Sequence, residues 1–195
     1  TRRSSDLKDK TFETLYKNPE LKNIPFVIDA IVTHTGIECV ADNGVIFASA
    51  SSPYYKKLFS IAGHDIDSLE NGGSVSTVAF TVAREWGFDK FVFVGLDLAL
   101  KDDKLYAGDM WKGTTDGMDI VEIDGYYGRS VLTRPAYKLH LDWFEKMLRA
   151  YPQLTIYNAT EGGALIHGAE NKALSDIADE YRYFDCNYEK IFKNR

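Results

Sequence analysis

The amino-acid sequence predicts a three-layer α/β fold built on a mainly parallel sheet, and three observations lead there. Short apolar runs recur along the chain (Phe26–Val32, Gly44–Ala48, Phe91–Gly95 and Leu154–Tyr157), each of strand length. Segments with apolar residues at helical spacing lie between them. Where the helical segment ending at Trp86-Gly87 meets the run at Phe91, the link is short, as in the helix-to-strand half of a βαβ unit.

The first helix is expected from Ser5 to Tyr16, with Ser5 as cap, Leu7, Phe12 and Leu15 on one face, and Asn18-Pro19 closing it. Phe26–Val32 and Gly44–Ala48 read as strands, with the stretch between Thr33 and Asn43 unassigned. Ser51-Ser52-Pro53 opens a helix, its proline in the first turn and Tyr55, Leu58 and Phe59 on the inner face. Asn71-Gly72-Gly73-Ser74 leads into an amphipathic helix carrying Val75, Val78, Ala79, Val82, Ala83 and Trp86, which Gly87 ends. Phe91–Gly95 is wholly apolar, as a strand buried on both faces of a parallel sheet would be. Residues 101–134 read as a long loop with one strand at Asp119–Ile123. Pro135–Ala150 is a helix, with Leu139, Trp143, Phe144, Met147 and Leu148 at helical spacing. Leu154–Tyr157 is a strand and Glu170–Tyr181 the last helix, for a sheet of four to six strands in one domain of 195 residues.

Composition narrows the function. Lys and Arg number 23 against 29 Asp and Glu, a net charge of −6, and no dense basic stripe occurs, which disfavours nucleic acid as the main partner. No apolar run has the length of a membrane helix, and residues 1–6 lack a signal-peptide core. With two distant cysteines, Cys39 and Cys186, a cytoplasmic protein with free thiols is the expectation. The 12 Tyr and 11 Phe are a large share, and Tyr54, Tyr55, Tyr106, Tyr126 and Tyr127 fall in loop-like segments. They serve either as rim packing or as a stacking cleft.

Open α/β sheets bind ligands beyond the carboxyl ends of their strands, and three segments fall at such ends or at helix starts facing them. Gly72-Gly73-Ser74-Val75 either forms a plain glycine turn and cap or offers backbone N–H groups and a helix N-terminus to phosphate. It is neither a dinucleotide fingerprint nor a P-loop. Gly95-Leu96-Asp97-Leu98 puts a carboxylate at a strand end, with Asp102 and Asp103 in the same loop. Asp97 binds a hydroxyl or a metal, acts as a base, or caps the next turn. The third segment, Asn158-Ala159-Thr160-Glu161-Gly162-Gly163-Ala164, carries amide, hydroxyl and carboxylate groups beside a glycine pair. His167 follows it as a candidate base, His140 reads as structural, and His34 and His64 lack zinc-site spacing.

Gly72-Gly73-Ser74-Val75 with Ala79 and Ala83, Phe93-Val94-Gly95-Leu96-Asp97-Leu98-Ala99, and the Asn158–Ala164 segment together resemble the central domain of the bacterial motility accessory factors over roughly residues 44–185. That resemblance implies a Rossmann-like domain similar in fold to sialyltransferases. It also implies transfer of a nonulosonic, sialic-acid-like sugar from a CMP-sugar donor to a protein or glycan acceptor such as flagellin. Nucleotide or sugar binding then falls to Gly72, Gly73, Ser74, Gly95, Asn158, Thr160, Glu161, Gly162 and Gly163. Asp97, His167 and Tyr106 become the catalytic candidates, and no metal or other cofactor is required. A branch of the wider family is a pterin pyrophosphokinase, which would use ATP and magnesium, with Asp97, Asp102 and Asp103 as ligands. The chain departs from the family pattern twice. It contains no Gly-Pro-Ser, and Tyr106 stands where a histidine is common. Either the chain is a fragment of a longer protein, as its start at Thr1 suggests, or it is a member that has lost catalysis and serves as a scaffold binding a nucleotide or a partner.

Overall fold

The computed structural model describes residues 26–29, 44–49, 53–63, 68–100 and 119–181. The chain divides into two compact units, Thr1–Asn71 and Gly72–Arg195.

In the first unit, β1 (Phe26–Asp29), β2 (Gly44–Ser49) and β3 (Ser68–Leu69) form a parallel sheet in that order. Helix α1 (Pro53–Ile61) lies in the crossover that two parallel neighbours require, and it begins at its proline as predicted. The expected inner face is only partly borne out, because Leu58 is 57% exposed. The helix expected over Ser5–Tyr16 lies outside the described residues, as do Cys39, Cys186, His34 and His64.

The second unit begins with α2 (Val75–Glu85), followed by β4 (Lys90–Phe93), β5 (Val121–Asp124) and β6 (Ser130–Thr133). Helix α3 (Pro135–Ala150), β7 (Thr155–Asn158), β8 (Glu170–Asn171) and α4 (Leu174–Tyr181) complete it. Strands β4, β7 and β8 pair in that order, all parallel, with Phe93 opposite Asn158 and Asn158 opposite Asn171. Short links return α2 to β4 and α3 to β7, so both helices run antiparallel to the strands they precede. Each helix therefore starts at the end of the sheet where β4 and β7 finish.

The core lies between these helices and one sheet face. Phe144 and Ile166 are fully buried, with Phe80, Leu141, Met147 and Ile156 around them. Phe80 of α2 packs against the tilted ring of Phe91 at 4.7 Å and meets Phe144 edge-on at 5.8 Å. Side chains alternate along a strand, so Lys90 projects to the opposite face, where its ammonium lies 5.5 Å from the ring of Tyr181 in α4. Helices thus flank both faces, and the predicted α/β class with parallel pairing holds.

Four details differ from expectation. Val92 and Val94 are exposed, so β4 is not buried on both faces. The buried residues of α2 are Thr77, Phe80, Thr81 and Val82, whereas Val75 is 87% exposed. Phe80 sets that rotation, because its ring has the core to fill. Leu139 of α3 is exposed while Leu141 is buried. Finally, Glu170-Asn171 pairs with β7 as a short strand, which delays the last helix to Leu174.

Candidate functional site

The loops that leave β4 and β7 are joined to each other. The Leu96 N–H donates to Thr160 Oγ1 at 3.1 Å, and the Ala164 N–H donates to the Asp97 carbonyl at 2.7 Å. Gly163 makes this junction possible. It has φ of +69°, and a Cβ there would sit 2.6 Å from Asp97 Cα, with the Asp97 carbonyl oxygen nearer still. Leu98 and Glu161 also adopt positive φ, at 48° and 57°, so both loops hold turns that L residues seldom take.

A hairpin clamps the pair. Strands β5 and β6 are antiparallel, with Asp124 opposite Ser130, and Gly125 forms a bridge to Ala164. The Leu165 N–H donates to the Asp124 carbonyl at 2.8 Å, and the Tyr126 N–H to the Gly163 carbonyl at 2.9 Å. On the other side, the buried Thr133 hydroxyl donates to the Leu98 carbonyl at 2.7 Å, and the Leu100 N–H to the Leu132 carbonyl at 2.7 Å. At the tip the rings of Tyr126 and Tyr127 pack 4.8 Å apart. Their hydroxyls donate to the carbonyls of Asn158 (3.3 Å) and Glu161 (2.9 Å).

Burial first, then the neighbouring Tyr127 and Glu161, raise the Tyr126 phenol above its ordinary pKa of 10.0. It is therefore a protonated donor throughout the neutral range. A phenol whose folded value exceeds its unfolded one stabilises fully below the unfolded pKa, and that contribution is lost as pH rises through the folded value. In an alkaline titration of tyrosinate absorbance, Tyr126→Phe is expected to remove a component that ionises above the ordinary phenol range.

The first predicted segment is occupied by its own cap. The Thr77 N–H donates to Ser74 Oγ at 3.3 Å, and the Ser74 N–H to Thr77 Oγ1 at 3.2 Å, a reciprocal capping box. A Cβ on Gly72 would lie 2.6 Å from the Trp143 ring, and the Gly72 carbonyl is 2.9 Å from His140 Nδ1. His140 is thus the structural histidine it was expected to be. Gly73, at φ of +85°, turns the chain into α2.

The structure therefore joins Gly95, Asp97, Asn158, Thr160, Glu161, Gly162 and Gly163 through two interlocked loops. Gly72, Gly73 and Ser74 stand at the start of α2, packed against α3. The half-buried Asp97 carboxylate makes no hydrogen bond or ion pair among the described residues. The Glu161 carboxylate instead accepts the Leu174 N–H at 3.0 Å, at the start of α4. His167 lies against α3, where Glu145 Oε1 accepts both its backbone N–H (3.1 Å) and a hydrogen bond with Nδ1 (2.7 Å). Its Nε2 is 3.9 Å from Asp124 Oδ2. Tyr106, Asp102 and Asp103 lie outside the described residues. Among the described residues no group of three or more His, Cys, Asp or Glu side chains is placed to hold a metal ion. No described helix is long and apolar enough to cross a membrane.

The sequence reading lacked Glu145 and the second strand of the hairpin. Asp124-Gly125 and Gly128, between the runs at Val121 and Val131, were the available turn cues.

A mainly parallel α/β unit with interlocked loops at its strand ends is a Rossmann-like arrangement. Among solved structures, the chain is similar to that of the MAf glycosyltransferase from Magnetospirillum magneticum AMB-1, with a TM-score of 0.52 and 17% identity. The match covers 87% of this chain and 32% of the other, so the chain spans about a third of that protein's length. No family model and no curated protein matches the sequence.

Proposed function

We propose that the chain is the nucleotide-sugar-binding part of a glycosyltransferase that moves a nonulosonic sugar from a CMP donor to a hydroxyl of a protein or glycan. The observation that carries this reading is the junction of the loops after β4 and β7, where a Rossmann-like sheet takes its ligand. The fold likeness to a glycosyltransferase and the three-segment resemblance support it. In this reading the acceptor oxygen attacks the anomeric carbon, the carbon–oxygen bond to phosphate breaks, and CMP leaves with the bonding pair. His167, oriented by Glu145, takes the acceptor proton. Asp97 anchors a donor hydroxyl, the start of α2 faces the phosphate, and the Tyr106 hydroxyl stabilises the leaving group. Flagellin as acceptor follows from the resemblance alone.

One observation favours a second reading, a scaffold without catalysis. Ser74, Thr160 and Glu161 already have partners inside the protein. Calorimetry with CMP, CDP and ATP-magnesium separates the readings. Metal-independent binding of CMP is expected, weakened about 10-fold by Asp97→Ala, which corresponds to ~1.4 kcal/mol. Binding of ATP only with magnesium would point to the pyrophosphokinase instead, and silence with all three nucleotides to a scaffold that binds a partner.

A further inference from the structure

The side-chain polar atoms that are buried without a partner among the described residues are all nitrogen donors: Arg84 Nη1, Arg134 Nε, Trp143 Nε1 and Asn158 Nδ2. Asn158 is the most enclosed of them, at 0% exposure, and it ends β7 within the third loop segment. By strand alternation it shares a face with the buried Ile156, the face that α2 and α3 cover. It therefore sits at the end of the sheet where α2 begins. Arg134, which starts α3, belongs to the same end.

The rest of Asn158 is engaged. Its backbone carbonyl accepts from the Lys172 N–H (3.2 Å) and from the Tyr126 hydroxyl (3.3 Å). Its side-chain oxygen accepts the Thr160 N–H at 3.2 Å. That contact orients the amide, since the reverse placement would set two donors against each other. The nitrogen and its two hydrogens are left over. A turn alone has no use for them: an aspartate oxygen makes the same turn without a surplus donor. A buried donor without an acceptor is destabilising, and functional sites are where such costs persist.

We infer that the Asn158 side-chain nitrogen is a ligand-binding donor, placed to receive an acceptor oxygen of the bound nucleotide. This rests on the nucleotide-binding reading above. Because the side-chain oxygen is already engaged, Asn158 reads an acceptor and not an exocyclic amine. The acceptor is either a phosphoryl oxygen or a base carbonyl, and both present the same lone pairs.

The test uses the whole chain with its asparagine side chains labelled by nitrogen-15. The Asn158 resonance is identified by its absence in Asn158→Asp and Asn158→Ser. Addition of CMP is expected to shift it. A shift with ribose 5-phosphate but not cytidine assigns the phosphate, and the converse assigns the base. Calorimetry is expected to show CMP bound about 10- to 100-fold more weakly by either variant, both of which keep an acceptor for the Thr160 N–H. If the wild type binds CMP while its Asn158 resonance stays in place, the inference is overturned and the nucleotide reading stands. If the variants fail to fold, sequential backbone-to-side-chain assignment of the wild type identifies the resonance, and its response to CMP still decides. If the wild type binds no CMP, the nucleotide reading falls first and this one with it.

Discussion

Replacing Gly163 by alanine is expected to destabilise the second unit by about 3 kcal/mol or more and to abolish the CMP binding proposed above. Two effects add. The residue has φ of +69°, where an L side chain is strained by about 1–2 kcal/mol. The new methyl would also lie 2.6 Å from Asp97 Cα, a backbone atom that no side-chain rotation can move aside. Relief requires the loops after β4 and β7 to part, which strains the bond from the Ala164 N–H to the Asp97 carbonyl. Gly162→Ala is the control. Nothing lies within 4 Å of a Cβ there and its φ is not positive, so a change within about 0.5 kcal/mol is expected. Urea denaturation of the two variants checks the pair, and CMP calorimetry checks Gly163→Ala. Equal midpoints would show that the loops are not held against each other.

Phe144→Ala is expected to cost about 3–5 kcal/mol, the range for emptying a fully buried aromatic site. Phe144 is 0% exposed and touches three rings, Phe80 at 5.8 Å, Phe93 at 5.1 Å and Trp143 at 5.2 Å. Those rings belong to α2, β4 and α3, so one side chain ties together the elements on which the candidate site stands. Phe144→Leu leaves a smaller cavity and is expected to lose less. Leu139→Ala, on the exposed side of the same helix, is expected to change stability by no more than about 0.5 kcal/mol. The measurement is the denaturation midpoint at unchanged m-value. A large loss at Leu139 would mean that α3 packs through a different face.

Local chemistry was legible where one dominant cue acts. Proline opens α1 and α3, and Ser74 caps α2, because a locked φ and a hydroxyl acceptor operate within a single turn. Apolar runs located β2, β4 and β7 to within a residue or two, and β1 at its first residue, Phe26. Register and facing were not legible. The apolar residues of α2 do not all face the core, and Val75 shows why: hydrophobic content fits several rotations, and the space for the Phe80 ring selects one. Glu170-Asn171 has helical neighbours but pairs with β7, since a partner strand offers backbone hydrogen bonds that the segment alone cannot anticipate.

The candidate site divides along the same line. By itself the sequence determined which groups are available after β4 and β7: a carboxylate, an amide, hydroxyls and a glycine pair, each placed there by a strand that ends nearby. Only the tertiary structure decided what those groups do. Thr160 joins the two loops, Glu161 serves the start of α4, and Gly163 lets one backbone pass against another. The Asp97 carboxylate and the side-chain nitrogen of Asn158 are left without partners among the described residues. Residue type sets what a side chain can donate or accept, but whether that capacity is already spent depends on neighbours such as Leu96 and Thr160, more than sixty residues apart in the chain.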